Sequence, residues 1–215
     1  MPRLDLDLIV DDAAALADDD GLGAVTLRRL ADRLGVTPMA LYRYVAGKES
    51  LLDALADRLY GELDRPSGGG DWWDELAELA RSTRRVLLAH PWAAPLFARP
   101  LAGPHAQALD EAMRSAFLRA GFSSADAREL HDQLSNMLFG LVAPELRGKR
   151  NRAAFERGLE LLRAGLEARL GRRQGLGASA AEASLVAWSS SMLEPVPNSQ
   201  PGGPRSRKST RFRRS

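Results

Sequence analysis

The chain has 215 residues, room for one domain or for a small one beside a medium one, and its 45% hydrophobic content supports a real core. Cysteine is absent, which excludes a disulfide framework, a thiol nucleophile and a cysteine-based metal site, and the acidic, non-apolar start leads us to expect no secretory signal. The formal net charge of +2 is carried by six Lys and Arg within residues 203–215, which leaves the rest of the chain near −4, so any affinity for nucleic acid has to come from a local patch.

The first element in chain order is a helix over residues 5–19, with Leu6, Ile9, Val10, Ala13, Leu16 and Ala17 on one face and Gly21 as its stop. Its other face carries Asp5, Asp7, Asp11, Asp12, Asp18, Asp19 and Asp20, and is expected to be solvated and turned away from any nucleic acid. Leu27, Leu30, Ala31 and Leu34 follow helical spacing in a second, short helix that Gly35 ends. Thr37 is a suitable N-cap and Pro38 suits the first position of a third helix, expected over 38–44. This is the grammar of a helix-turn-helix, whose second helix lies in the DNA major groove.

In that helix Leu41 and Val45 are spaced to point inward, Met39, Ala40 and Arg43 outward, with Tyr42 and Tyr44 at the flanks. A tyrosine hydroxyl can donate to a phosphate oxygen and Arg43 can pair with guanine or phosphate, although either tyrosine also suits core packing. Met39 and Ala40 can offer a base only apolar contact, as with a thymine methyl. Gly47 and Lys48 open a further helix to about residue 64, where amides at a helix start beside a lysine make a phosphate clamp. Residues 26–48 thus hold Arg28, Arg29, Arg33, Arg43 and Lys48 against Asp32 alone.

Leu51, Leu55, Leu59 and Leu63 stripe the helix that Lys48 opens, and the Pro- and Gly-rich stretch 65–70 breaks it. Helices are expected over 71–89, around Leu96 and Phe97 up to Pro100, over 104–120, over 124–142 behind a Ser123/Asp126 capping box, and over 152–170 after a loop at 144–148. Gly158 and Gly165 allow the last of these to approach a neighbour closely. A weak helix is expected over 180–193 and disorder beyond Pro195, where a basic end fits sequence-independent DNA affinity or an idle tail equally. No stretch alternates as a strand does, so the fold class is all-α.

The run LADRLGVTPMALYRYV followed by GKESLL resembles the DNA-binding domain of the TetR family of one-component bacterial repressors, over roughly residues 5–63 and more weakly over 71–170. The resemblance implies that Tyr42 and Lys48 match positions contacting the DNA backbone, and that Arg28, Thr37, Met39, Ala40, Arg43 and Tyr44 match positions facing the groove. It implies a helix-turn-helix domain over 1–47, a connecting helix over 48–65, a ligand-binding and dimerisation domain over 71–172, and leaves 173–215 as a basic, disordered tail.

A helical second domain should hold a mostly apolar cavity. Trp92, Phe97, His105, Met113, Phe117, His131, Leu134 and Met137 are its candidate lining, each equally at home in a core. His90, His105 and His131 lack the short spacing of a helical metal site, so neither a metal nor another cofactor is expected. No nucleophile elbow, P-loop or zinc-protease motif appears, so an enzyme is not expected. The helices at 124–142 and 152–170 can form a four-helix bundle with a second copy, or be used up within one chain. The expected partners are double-stranded operator DNA, a small-molecule effector and a second copy, with no membrane, and the expected location is the cytoplasm. The alternative is an effector-independent dimeric regulator whose second domain only dimerises.

Overall fold

Asp5, in extended backbone, accepts the Leu8 amide at 2.9 Å and so starts α1 (Leu6–Asp20), which stops at Gly21 with φ 82°. The computed structural model describes residues 4–100, 102–149 and 151–192, with side chains to 172, and every regular element among them is a helix. α2 (Leu27–Leu34) begins on the Thr26 hydroxyl, which accepts from the Arg29 amide at 3.3 Å, and ends on Gly35 in the left-handed region. Ile9, Ala13 and Ala17 of α1, Leu30 and Ala31 of α2, and Val25, Leu41, Val45 and Leu51 close a first core, none more than 1% exposed.

α3 (Pro38–Leu41) is a single turn, shorter than the expected 38–44. The chain leaves the helix at Tyr42, and the amides of Tyr44 and Val45 both turn back to the Leu41 carbonyl at 2.9 and 3.1 Å. Thr37 does not cap through its side chain as expected, because its own carbonyl takes the Ala40 amide at 2.9 Å, the donor its hydroxyl would use. α4 (Lys48–Gly61) buries Leu51 in the first core and Leu55, Leu59 and Tyr60 in a second, larger one.

Residues up to Leu170 form one compact unit, which contains the stretch 65–70. That stretch is organised by Glu75 of α5 (Trp72–Ala89), whose Oε1 accepts from the Ser67 hydroxyl and from the amides of Gly68, Gly69 and Gly70 at 2.7–3.1 Å. Its other oxygen pairs with Arg119. The Ser67 hydrogen bond above all, aided by the glycine amides and Arg119, lowers the Glu75 pKa to about 2.

The short helix expected around Leu96 and Phe97 is absent: i to i+3 bonds on the carbonyls of His90, Ala93 and Leu96 hold this segment as successive tight turns. α6 (Pro104–Ala120) ends on Gly121 at φ 99°, and α7 (Ser124–Leu146) starts on the Ser123 hydroxyl, which accepts from the Asp126 amide at 3.2 Å. Pro144 does not end α7, which carries it in its last turn; Gly148 at φ 86° and the Lys149 amide, 3.0 Å from the Pro144 carbonyl, make the stop.

α8 (Arg152–Met192) packs closely on α7, since a Cβ at Gly158 would lie 2.4 Å from a Leu141 methyl. Ion pairs fasten α7 to α5 through Glu145 and to α8 through Asp126. Glu145 takes Arg84 through both oxygens at 2.8 and 2.7 Å, and Asp126 takes Arg169 at 2.9 Å. From Gly171 the chain counts as a second unit, helical to Met192 where a tail from 173 and a separate helix over 180–193 were expected. Alanine is frequent here and no proline intervenes before Pro195, which favours continuation of the helix. Residues 193–215, with the expected basic tail, lie outside the described residues.

Candidate nucleic-acid interface and cavity

The turn from α2 to α3 is held from below by Leu41 and Val45, both buried as their spacing required, and this leaves the opposite side of α3 to solvent. Met39 is 74% and Tyr42 51% exposed, unusual values for side chains of this size unless they meet a partner. Arg28, Thr37, Arg43, Tyr44 and Lys48 are also exposed, and Ala40 is half-buried. Neither tyrosine is core, but they differ. Tyr44 donates its hydroxyl to the Leu4 carbonyl at 2.7 Å, whereas the Tyr42 hydroxyl has no partner among the described residues. No side chain caps the first turn of α4, where Lys48 stands exposed.

The acidic face of α1 is not merely solvated. Asp20 pairs with Arg29 at 2.5 Å, Asp19 with Arg33 at 2.9 Å, Asp12 with Arg33 at 3.0 Å, and Asp11 with Arg58 at 2.6 Å. Asp18 Oδ1 accepts from the Trp92 indole at 2.6 Å and meets His90 Nδ1 at 2.7 Å. The aspartates therefore tie α1 to α2, to α4 and to the corner after α5. They also cancel two of the five cations in the basic patch. Arg28, Arg43 and Lys48 make no ion pair among the described residues, and these three carry its remaining positive charge.

Behind this head, α4, α5, α6 and α7 enclose a small apolar cavity of about 60 Å³. Of the eight candidate lining residues, Phe97, Met113, His131 and Leu134 line it. The other four do not, each for a local reason. The Trp92 indole is taken by Asp18 on α1, and His105 in the first turn of α6 stacks over Gly61, where a Cβ would lie 3.3 Å from its ring. Phe117 is wholly buried against Phe122, while Met137 is 54% exposed on the outer side of α7. Sequence reasoning missed Tyr60, Thr83, Asp110, Ser135 and Phe139, of which Asp110 and Ser135 lie one helical turn from named neighbours.

A side-chain cap ties α6 to α4. Gly103 precedes α6 and has no side chain to cap it, so Asp57 of α4, only 9% exposed, reaches across to accept the Ala106 amide at 2.9 Å. The fit depends on the glycine, because a Cβ there would sit 2.0 Å from the Asp57 carboxyl carbon. On the outer side of α7 and α8, Leu130, Met137, Leu161, Leu162, Leu166 and Arg169 line a shallow groove, with Leu161 76% exposed. Among the described residues no cluster of His, Asp and Glu forms a metal cradle, and no helix is long and apolar enough to cross a membrane.

The chain matches the family model described as bacterial regulatory proteins, tetR family, over residues 9–55, and the one described as tetracyclin repressor-like, C-terminal domain, over 66–154. An HTH-type transcriptional regulator of Saccharopolyspora erythraea is 41% identical over 146 residues, which are 67% of this chain and 62% of the relative. The chain thus spans less than two thirds of that relative's length. Among solved structures, BioQ with its natural double-stranded DNA operator superposes with a TM-score of 0.66 at 31% identity, covering 77% of this chain and 99% of BioQ. The TetR family protein ActR of Streptomyces coelicolor, in complex with actinorhodin, gives a TM-score of 0.69 at 26% identity, covering 79% and 100% of the two chains.

Proposed function

The chain belongs to the TetR family of bacterial regulatory proteins, and from that premise we propose that it is a cytoplasmic, homodimeric transcriptional repressor that a small-molecule effector releases from a palindromic DNA operator. The observation that carries the reading is the surface around α3, where Met39 and Tyr42 are exposed beside the unpaired cations Arg28, Arg43 and Lys48. In this reading residues 1–47 are the reading head, 48–65 the connecting segment and 71–172 the ligand-binding and dimerising region.

Each copy inserts α3 into a major groove, and two-fold symmetry sets the half-sites about one helical turn, roughly 34–36 Å, or a multiple of it apart. Lys48 and Tyr42 hold phosphate oxygens, Arg43 offers the polar base contact, and Arg28, Thr37, Met39, Ala40 and Tyr44 face the groove. The second copy packs on the groove of α7 and α8, where the exposure of Met137 and Leu161 would otherwise be costly. A ligand in the cavity displaces α6, and because Asp57 caps α6 from α4 the displacement is passed to the helix that carries the head.

BioQ with its operator and ActR with actinorhodin support DNA and a small molecule as the two partners. Neither the fold nor these relatives offer a reason to assign an enzymatic activity. Selection of bound duplexes from random DNA, followed by light scattering of the free protein and the complex, tests the reading. It should yield one inverted repeat bound by a dimer; a monomer at micromolar concentration, or no enriched sequence, would overturn it.

A further inference from the structure

The two tyrosines after α3 put their hydroxyls to different uses. A phenol has one hydrogen to donate, and a phosphate oxygen can only accept. The Tyr42 hydroxyl has no partner among the described residues, but Tyr44 has given its hydrogen to the Leu4 carbonyl, 2.7 Å away and 40 residues back in the chain. The contact forms because the chain leaves α3 at Tyr42 and folds the Tyr44 and Val45 amides back onto the Leu41 carbonyl. Leu4 for its part stands just outside α1, whose first carbonyl acceptor is that of Asp5, 3.3 Å from the Ile9 amide. The Leu4 carbonyl takes no part in the helix, so the Tyr44 hydroxyl is what fixes it, while the Leu4 side chain packs on the first core. Tyr44 is 40% exposed, which keeps this pinned point at the surface of the head.

We propose that Tyr44 is a positioning residue for DNA binding: it pins Leu4 beside α3 so that the guanidinium of Arg3, the preceding residue, contacts phosphates flanking the half-site. The proposal rests on α3 being the reading element and deepens it by adding a cation and its anchor. One Cα step of about 3.8 Å joins Leu4 to Arg3, so pinning one limits the range of the other. A chain end restrained in this way loses less freedom on binding than a loose one. The nearest acid in the chain, Asp5, is engaged at the positive start of α1, where it accepts the Leu8 amide at 2.9 Å. A further cation matters here, because only Arg28, Arg43 and Lys48 of the basic patch are without an ion pair among the described residues. The homeodomain, another helix-turn-helix variant, likewise uses a basic arm ahead of its first helix to reach DNA beside the groove that its third helix reads.

The test measures Kd against salt for the full chain on a selected operator duplex with flanks on both sides. The proteins are the wild type, Arg3→Gln, Tyr44→Phe and the double variant, each with a melting curve. Loss of one phosphate contact lowers the salt slope by about 0.9, or roughly eightfold in affinity at 0.1 M salt against a 1 M reference. Both single variants should show this loss, and the double variant should show no more, since Tyr44 acts through Arg3. Preference among base pairs within the half-site should stay as in the wild type, and trimming the flanks should erase the differences. A salt slope unmoved in Arg3→Gln, losses that multiply in the double variant, or a changed base preference in Tyr44→Phe would overturn the proposal. Arg3→Gln alone keeps it falsifiable should Tyr44→Phe melt early. The wild type separates the two levels of failure. If it selects no duplex, the regulator reading falls; if it binds one and Arg3→Gln matches it, only this proposal does.

Discussion

The reading head and the helical bundle behind it pair arginine with acid to different ends. In the head, Arg29–Asp20 and Arg33–Asp19 have side chains between 39% and 61% exposed. In the bundle, Glu145 is 2% and Arg84 19% exposed, and the Arg84 guanidinium also lies over the Phe155 ring at 5.4 Å. Exposed pairs contribute little to stability, yet they decide where positive charge survives on the surface. A buried, two-pronged pair does the reverse, fixing helices while adding nothing to the external field.

That contrast is broken most directly at the bundle. Glu145→Ala removes the acceptor of both Arg84 hydrogen bonds and of the Asn151 amide at 3.3 Å, and should cost about 3–5 kcal/mol in denaturant unfolding. Glu145→Gln, which retains an acceptor, should cost less. A loss within the range of an exposed pair would mean that burial does not separate the two regions. At the head the large effect is on binding. Lys48→Ala should weaken all duplexes roughly tenfold at low salt and reduce the salt slope by about 1, with unfolding unchanged. An unaltered salt slope would remove Lys48 from the phosphate contacts.

The same two regions differ in how far the sequence reveals them. The head is written in local terms: Thr26 and Gly35 bracket α2, Pro38 opens α3, and Leu41 and Val45 alternate with Met39 and Arg43 across α3 and the turn after it. Each signal acts over three or four residues, so spacing identifies the exposed set. What spacing cannot give is the partner across the fold, and so the aspartates of α1 read as solvated although Arg29, Arg33 and Arg58 claim them. The cavity is non-local throughout, since its lining comes from four helices and the turn at Phe97. Helical periodicity marks Phe117 and Leu134 alike as inward, and only the crossing of the helices sends one to a core and the other to the cavity. Asp57 was hidden for the same reason, as its partner amide at Ala106 is 49 residues away.

Glu75 sharpens the comparison from the bundle side, because it is partly buried and ties the stretch 65–70 through three amides. Its folded pKa of about 2 lies below the ordinary 4.5, so its contribution is complete above pH 4.5 and is lost as pH falls toward 2. Urea unfolding of the wild type and of Glu75→Gln should therefore differ by about 1 kcal/mol at pH 6, as for a lost helix cap, and converge near pH 2. A difference that stays constant across that window would show that the carboxylate's charge is not what organises the stretch.

The smallest effect belongs to Asp19→Asn, and it tests whether the exposed pairs of the head act on charge at all. Arg33 retains Asp12 at 3.0 Å, so α1 and α2 stay tied and the melting temperature should not move. One carboxylate fewer beside Arg33 returns a fraction of a positive charge to the patch made by Arg28, Arg43 and Lys48. Affinity for duplexes of any sequence should rise modestly, and the salt slope should steepen by less than about 0.9, the contribution of one full phosphate contact. Preference among sequences should not change, because a gain through the phosphate field is shared by every duplex. A drop in melting temperature with no change in DNA affinity would invert the assignment: the aspartates of α1 would then be fasteners like Glu145, and the weak net charge of the head would have no bearing on how it finds DNA.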